Sequence, residues 1–349
     1  MAGRAPSVKA AGWKLLDRVV ARAAPDGVFS NPWCTDSGGT VAYRPDFATL
    51  SRLLGVPLHL RAATQTGVPA LALDVWLAYE MRRSGFDRDA VWPRATPPRV
   101  LPVPLARLID SLQGDERRQM CERLGGTNPP KNVAPSQAVV LGKNYTKQVD
   151  VVMSNWQTGP ELMISTKRMD SSFGKNAPNR IEEAYGDAKN LRSRHPLAAL
   201  GFFFGIRSTV FEDAPAVGAW LVDLMRKLGE EDDAYHSVCL LPMEYDDDRI
   251  EDEAGQEATR AAGEAGLEPL DQSSGRATAT ADEVGDLDAV IAQFPGVRIR
   301  EELVPPDLRV AVFLQGVVER VLRVSPVTLH AEARRRRSEP RNLISPSAE

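Results

Sequence analysis

Cysteine is scarce: Cys34, Cys121 and Cys239 are odd in number, far apart, and form no CxxC pair. That excludes a disulfide framework and a cysteine-based zinc site. No run of about 18 apolar residues occurs, so no membrane span is predicted. The N-terminal stretch MAGRAPSVKAAGWKLLDRVV lacks the continuous apolar segment of a secretory signal, and a cytoplasmic protein is expected. The histidines His59, His195, His236 and His330 are spaced neither as a zinc ligand set nor as a His-Asn-His nuclease. The glycines after Ser37 are followed by no GK[ST], which excludes a phosphate-binding P-loop there.

What is present is a chain of 349 residues, long enough for more than one domain, with an uneven charge distribution. The net charge of -4 disfavours nucleic acid only until it is divided along the sequence. Residues 131–194 hold ten Lys/Arg against six Asp/Glu, whereas residues 230–286 hold eighteen Asp/Glu against three Arg. Only the basic middle suits a phosphate backbone.

Residues 1–130 read as a helical N-terminal domain for recognition or partner binding. Trp13, Leu16, Val20 and Ala23 recur at helical spacing, and residues 71–83 repeat the pattern. Five prolines in 92–104 predict an extended connection, followed by short helices at 105–113 and 116–124. The linker GGTNPPKN at 125–132 marks the domain boundary, and a core is expected over 131–245. There, strands at 147–154 and 161–169 flank the turn NWQTGP. The loop SSFGKNAPN leads to a helix at 180–194 with Ile181, Ala184, Ala188 and Leu191 on one face. A buried strand within 197–210, a helix at 214–228 and a strand at 236–243 follow. This β-β-α-β-α-β order predicts an α/β fold, a mixed sheet flanked by helices. Residues 246–285 read as an acidic disordered insert, 286–330 as C-terminal helices packing on the core, and 331–349 as a basic disordered tail.

A turn centred near Gln157 and Thr158 sets Asp150 opposite Ser165, two residues before Lys167. Alternation along a strand then gathers Asp150, Ser165 and Lys167 on one face. Phosphodiester hydrolysis needs a hard divalent cation held by carboxylates and a protein cation near the scissile phosphate. Asp150 and Lys167 supply one of each. The position usually carboxylate in such sites is Ser165, and a glutamate on the next helix, Glu182 or Glu183, can replace it.

This layout, Asp150, Ser165-Thr166-Lys167 and then Arg180-Ile181-Glu182, resembles the rearranged PD-(D/E)xK motif of type II restriction endonucleases. In those enzymes a serine replaces the strand carboxylate and a helix glutamate completes the metal site. The resemblance spans roughly residues 140–210, about a fifth of the chain. It implies a restriction-endonuclease-like sheet and Mg²⁺-dependent hydrolysis of DNA, with Mn²⁺ able to substitute. Asp150 and Glu182 become metal ligands and Lys167 the catalytic lysine. The spacing to the helix is longer by a residue, so Glu183 competes with Glu182, and Val149 stands where the motif has proline. Such cores cut duplexes as homodimers, which fits bacterial restriction or phage defence.

Lys143, Lys147, Lys175, Asn176 and Arg180 form the expected phosphate-contacting rim, with GKN occurring at both 142–144 and 174–176. Each of these readings has a plainer counterpart. Asn179 and Glu182 fit a capping box, Lys167 fits the guarded end of an edge strand, and the rim fits a solvated surface. Phe202–Phe204 reads as core, and Arg334–Arg337 as a solvated tail rather than a DNA anchor. The competing functions are a catalytically inactive nuclease-fold protein that binds DNA or assembles, and a protein-interaction module. An RNA substrate fits as well as DNA.

Overall fold

The computed structural model describes residues 7–35, 38–125, 130, 133–135, 137–171, 173–246 and 281–342. The acidic insert falls almost wholly outside them. Helical periodicity near the N-terminus gives α1 (Val8–Ala23); the chain then forms the short strands β1 (Trp33–Thr35) and β2 (Val41–Tyr43), followed by α2 (Phe47–His59) and α3 (Val68–Arg83). Ser7 caps α1 by accepting from Ala10 N at 3.2 Å, and Asp46 caps α2 by accepting from Thr49 N at 3.0 Å. α3 is buried around most of its circumference, which marks it as a central element rather than a surface helix.

The proline-rich connection begins with the strand β3 (Val91–Trp92) and leads to α4 (Val103–Ser111) and α5 (Gly114–Gly125). Next come β4 (Val139–Leu141), β5 (Thr146–Gln148), β6 (Val151–Asn155), β7 (Gly159–Met169) and α6 (Phe173–Arg194). The core closes with β8 (Ala199–Arg207), α7 (Val210–Asp213), α8 (Pro215–Glu230) and β9 (Ser237–Glu244). Beyond the insert lie α9 (Ala281–Ala292), β10 (Arg298–Ile299), α10 (Val310–Val324), α11 (Ala331–Ser338) and β11 (Arg341–Asn342). Among the described residues no helix is long and apolar enough to cross a membrane.

The fold is mixed α/β, as the element order predicts. Its main sheet has the order β10-β9-β8-β7-β6-β3, with β7, β8 and β9 parallel and the strands at both edges antiparallel. On one face Met163, Phe202, Phe204 and Leu240 pack against Ala184 and Ala188 of α6 and Leu221 of α8. On the other, Ile164, Phe203 and Cys239 pack against Trp76 of α3 and Phe313 and Val317 of α10. A Cβ at Gly201 would lie 2.8 Å from the Phe313 ring, so glycine there lets α10 lie close on the sheet.

Four expectations need correction. Residues 1–130 do not keep a core to themselves: α1, α2 and α3 share one continuous apolar core with the sheet and α10, and β3 pairs with β6. The strand expected over 147–154 breaks at Val149 and Asp150, and β5 turns away to pair with β4. The loop expected before residue 180 is already helical from Phe173. The part of the expected tail that lies within the described residues, 331–342, is not unstructured. It forms α11 and then β11, which pairs with β1, and its arginines are spent internally. Arg334 donates to Leu322 O at 2.7 Å, Arg336 to Arg83 O at 2.7 Å, and Arg337 pairs with Glu319 at 2.6 Å.

Candidate active site

The β6–β7 hairpin sets Val151 against Ile164, and one further step of that register places Asp150 across from Ser165. Where β5 departs, the Asp150 side chain replaces the lost strand partner: Oδ2 accepts from Thr166 N at 2.8 Å. Alternation along β7 sends Ser165 and Lys167 to the α6 side and Thr166 to the α3 side. Thr166 Oγ1 accordingly donates to Asp74 of α3 at 2.5 Å, while Lys167 Nζ meets Glu183 Oε1 of α6 at 2.8 Å. The Lys167 side chain is only 5% exposed.

Glu183 is the hub of the cluster. Its Oε1 also accepts from Lys147 Nζ at 3.2 Å, and Arg180 Nη1 lies 3.7 Å from Oε2. Lys147 in turn reaches Asp187 Oδ2 at 2.8 Å, one helical turn further along α6. Burial pushes the Glu183 carboxyl up, but Lys167 and Lys147 outweigh burial and bring it down to about 2. Asp187 is more deeply buried, and there burial wins and raises its carboxyl despite Lys147.

Glu182 is exposed. The helix explains the exchange: Ile181, Ala184 and Ala188 point into the core, and Glu183, Asp187 and Asn190 form the next stripe, facing the hairpin. Of the two competing glutamates, Glu183 is the one brought to Lys167.

Tyr235, just before β9, closes the cluster from the sheet side. Its ring stacks on Phe202 at 5.3 Å between centroids, and burial, then Asp187, Glu183 and Asp150, push its hydroxyl up. Ser165 lies close enough to act on that hydroxyl, yet among the described residues Oη has no hydrogen bond of good geometry. A buried hydroxyl left short of a partner beside three carboxylates is where an ordered water or ligand is expected.

The donor set admits a hard cation. Among the described residues no three or more His, Cys, Asp or Glu gather into a ready-made metal cage. Mg²⁺ usually needs fewer, taking one or two carboxylates with waters and substrate phosphates. Asp150 and Glu183, with the Tyr235 hydroxyl short of a partner beside them, fit that pattern.

The expected phosphate rim divides. Lys143 is exposed, whereas Lys147 and Arg180 are committed to the Glu183 hub. The side chains of Lys175 and Asn176 lie outside the described residues. The first GKN has a structural duty. A Cβ at Gly142 would overlap the Asn190 amide at 2.2 Å, and Asn190 Oδ1 accepts from Asn144 N at 2.8 Å. The glycine therefore serves as a clasp between the β4–β5 turn and α6.

Asp187, Asn190 and Tyr235 were not anticipated. The first two were readable as a polar stripe spaced i, i+4, i+7 from Glu183. Tyr235 carried no such signal, because only the pairing of β8 with β9 brings it to the site. The chain matches no protein-family model, no curated protein and no solved structure.

Proposed function

We propose that this protein is a Mg²⁺-dependent nuclease that hydrolyses DNA phosphodiesters, with Asp150, Lys167 and Glu183 at its centre. The observation that carries the reading is the buried Lys167 held by Glu183 on the hairpin face where Asp150 lies opposite Ser165. Burying a lysine costs heavily unless it is paired, and an apolar residue would pack this strand at no such cost. Asp150 and Glu183 would hold the cation, which when bound activates water and offsets charge on the phosphate. Lys167 positions the attacking water and neutralises the phosphate beside it, and the Tyr235 hydroxyl donates into the same space. A restriction-endonuclease-like core acting as a homodimer, in bacterial restriction or phage defence, follows from the motif resemblance alone.

A second reading has an observation of its own. Lys147, Lys167 and Arg180 already balance Glu183, Asp187 and Asp150, so the cluster is nearly neutral without a cation. Together with Ser165 in the strand position, that balance favours an inactive nuclease-fold protein that still binds DNA.

The test is cleavage of plasmid and phage DNA with Mg²⁺, with Mn²⁺ and with EDTA, using Glu183→Gln and Glu182→Gln side by side. Metal-dependent cutting lost in Glu183→Gln by about a hundredfold or more, and kept in Glu182→Gln, is the expected result. Cutting that depends on Glu182 instead would reverse the ligand assignment. Salt-sensitive DNA binding with no cutting under any condition would establish the inactive reading.

A further inference from the structure

A second polar cluster lies away from Lys167, where the C-terminal end of α6, the start of β9 and the last turns of α10 meet. Arg192 Nη1 donates to Ala234 O at 2.8 Å, and Arg320 Nη2 donates to Pro196 O at 3.1 Å. Ala234 is two residues before His236, and Pro196 leads into the strand whose Leu200 meets the His236 ring, so both guanidiniums are held at the same end of the sheet as His236. Leu200 N donates to His236 Nδ1 at 3.0 Å, which makes Nδ1 the acceptor of the ring and puts the proton of the neutral imidazole on Nε2.

His236 Nε2 is nevertheless buried with no hydrogen-bond partner among the described residues, and so is Arg320 Nε. Two buried N–H donors without an acceptor sit in one cluster. The charges around them share one sign. Burial, then Arg192, Arg320 and Arg323, lower the His236 imidazole to about 4. Arg320 is itself lowered by burial and then by Arg323 and Arg192. The arginines of α11 show the contrast, because each is matched to a carbonyl or a carboxylate. Neighbouring guanidiniums that repel one another, next to unanswered donors, call for an anion with several acceptor oxygens.

We propose that Arg192 and Arg320, together with the Nε2–H of His236, form a phosphate-binding site, to which the exposed Arg323 adds positive charge. A phosphate group offers enough oxygens to accept from the imidazole N–H and the guanidinium fork at once, and its charge relieves the repulsion among the arginines. The same chemistry is presented by a nucleic-acid backbone and by free phosphate or a nucleotide. The site does not depend on the nuclease reading.

The experiment follows the His236 imidazole by nitrogen and proton NMR in the full chain, titrated with inorganic phosphate at constant ionic strength. A saturable shift is expected, weakened about tenfold or more in Arg320→Gln. The exposed Arg323→Gln gives a second test in a variant whose fold is least at risk. Duplex DNA then separates the sources. If the salt dependence of binding falls by about one unit of slope per arginine removed, the site holds a backbone phosphate. If that slope is unchanged while inorganic phosphate still binds, the natural ligand is free phosphate or a nucleotide. Absence of any phosphate-dependent shift in the wild-type chain overturns the proposal, as does a shift produced by polyglutamate and not by phosphate. A chain that cuts no DNA still gives a clear answer through the phosphate titration.

Discussion

Neighbouring residues of β7 carry buried cations to opposite faces of the sheet, and the two are treated differently. Arg168, 6% exposed, bonds through Nε to both oxygens of Asp170 at 3.0 and 2.9 Å, through Nη1 to Pro69 O at 3.3 Å and through Nη2 to Tyr245 Oη at 3.2 Å. Tyr245 completes the arrangement by donating to Asp170 at 2.5 Å. All three arms of that guanidinium are answered, and the acid that answers it is two residues away. Lys167, equally buried, instead shares Glu183 with Lys147, under a tyrosine hydroxyl that has no good partner. A buried charge kept for structure is closed off with partners. On the Lys167 face the Tyr235 hydroxyl is left over, a spare donor of the kind that a site receiving something from solution offers.

The largest expected effects test that contrast directly. Arg168→Ala leaves Asp170 and Tyr245 without their cation and should cost about 3 kcal/mol of stability in a urea melt. Lys167→Ala leaves Glu183 with Lys147 and Arg180, so its cost should be nearer about 1 kcal/mol. On the proposed function, DNA cleavage by this variant should by contrast fall about a hundredfold or more. If both variants unfold alike and neither changes activity beyond its loss of fold, the two faces are the same kind of structure and the distinction fails.

An acid titration gives the next effect in size. The Glu183 carboxyl is held at about 2 in the folded chain, below its unfolded value of about 4.5. A depressed carboxyl contributes stability that is complete above the unfolded value and is lost as the pH falls through the folded one. The wild-type chain should therefore exceed Glu183→Gln by up to about 3 kcal/mol near pH 6, with the gap closing between pH 4.5 and 2. Denaturant midpoints of the two proteins across that range are the measurement. A gap independent of pH would mean that the carboxylate gains nothing from its lysines.

The same contrast explains what the sequence could reveal. The pairing of Asp150 with Ser165 was legible, but not the way it is reached: the turn pairs Asn155 with Gly159 and is centred on Gln157, and a one-residue shift between Met153 and Ser154 restores the register that gathers Asp150, Ser165 and Lys167. The apolar stripe fixed the rotation of α6, but Glu182 and Glu183 lie on opposite flanks of it, and which flank faces the hairpin is set only by how the helix lies on the sheet. Asp150 was legible as an unusual strand residue, but not as the end of a strand. Its carboxylate takes over a backbone bond, and nothing local announces that. The segment after Ala331 misled because four successive arginines look like a solvated tail. Their acceptors, Phe29 O, Arg83 O and Leu322 O among them, are set by tertiary packing. The single core shared by α1, α2, α3 and the sheet was hidden for the same reason, since local composition marks linkers and not which surfaces meet.

The smallest effect is also the most discriminating, because it removes one oxygen from each face. Tyr245→Phe deletes a hydroxyl bonded to both Asp170 and Arg168 and should cost about 1–2 kcal/mol. Tyr235→Phe deletes a hydroxyl with no well-formed bond to lose, so its effect on stability should lie within about 0.5 kcal/mol of zero. If Tyr235 serves a bound species, its variant should instead weaken metal-dependent cleavage while the melt stays unchanged. Equal destabilisation by both substitutions would show that the Tyr235 hydroxyl is satisfied in solution by Ser165 or an ordered water. The site would then rest on Asp150, Lys167 and Glu183 alone, and the polar surplus that separates the two faces of β7 would disappear.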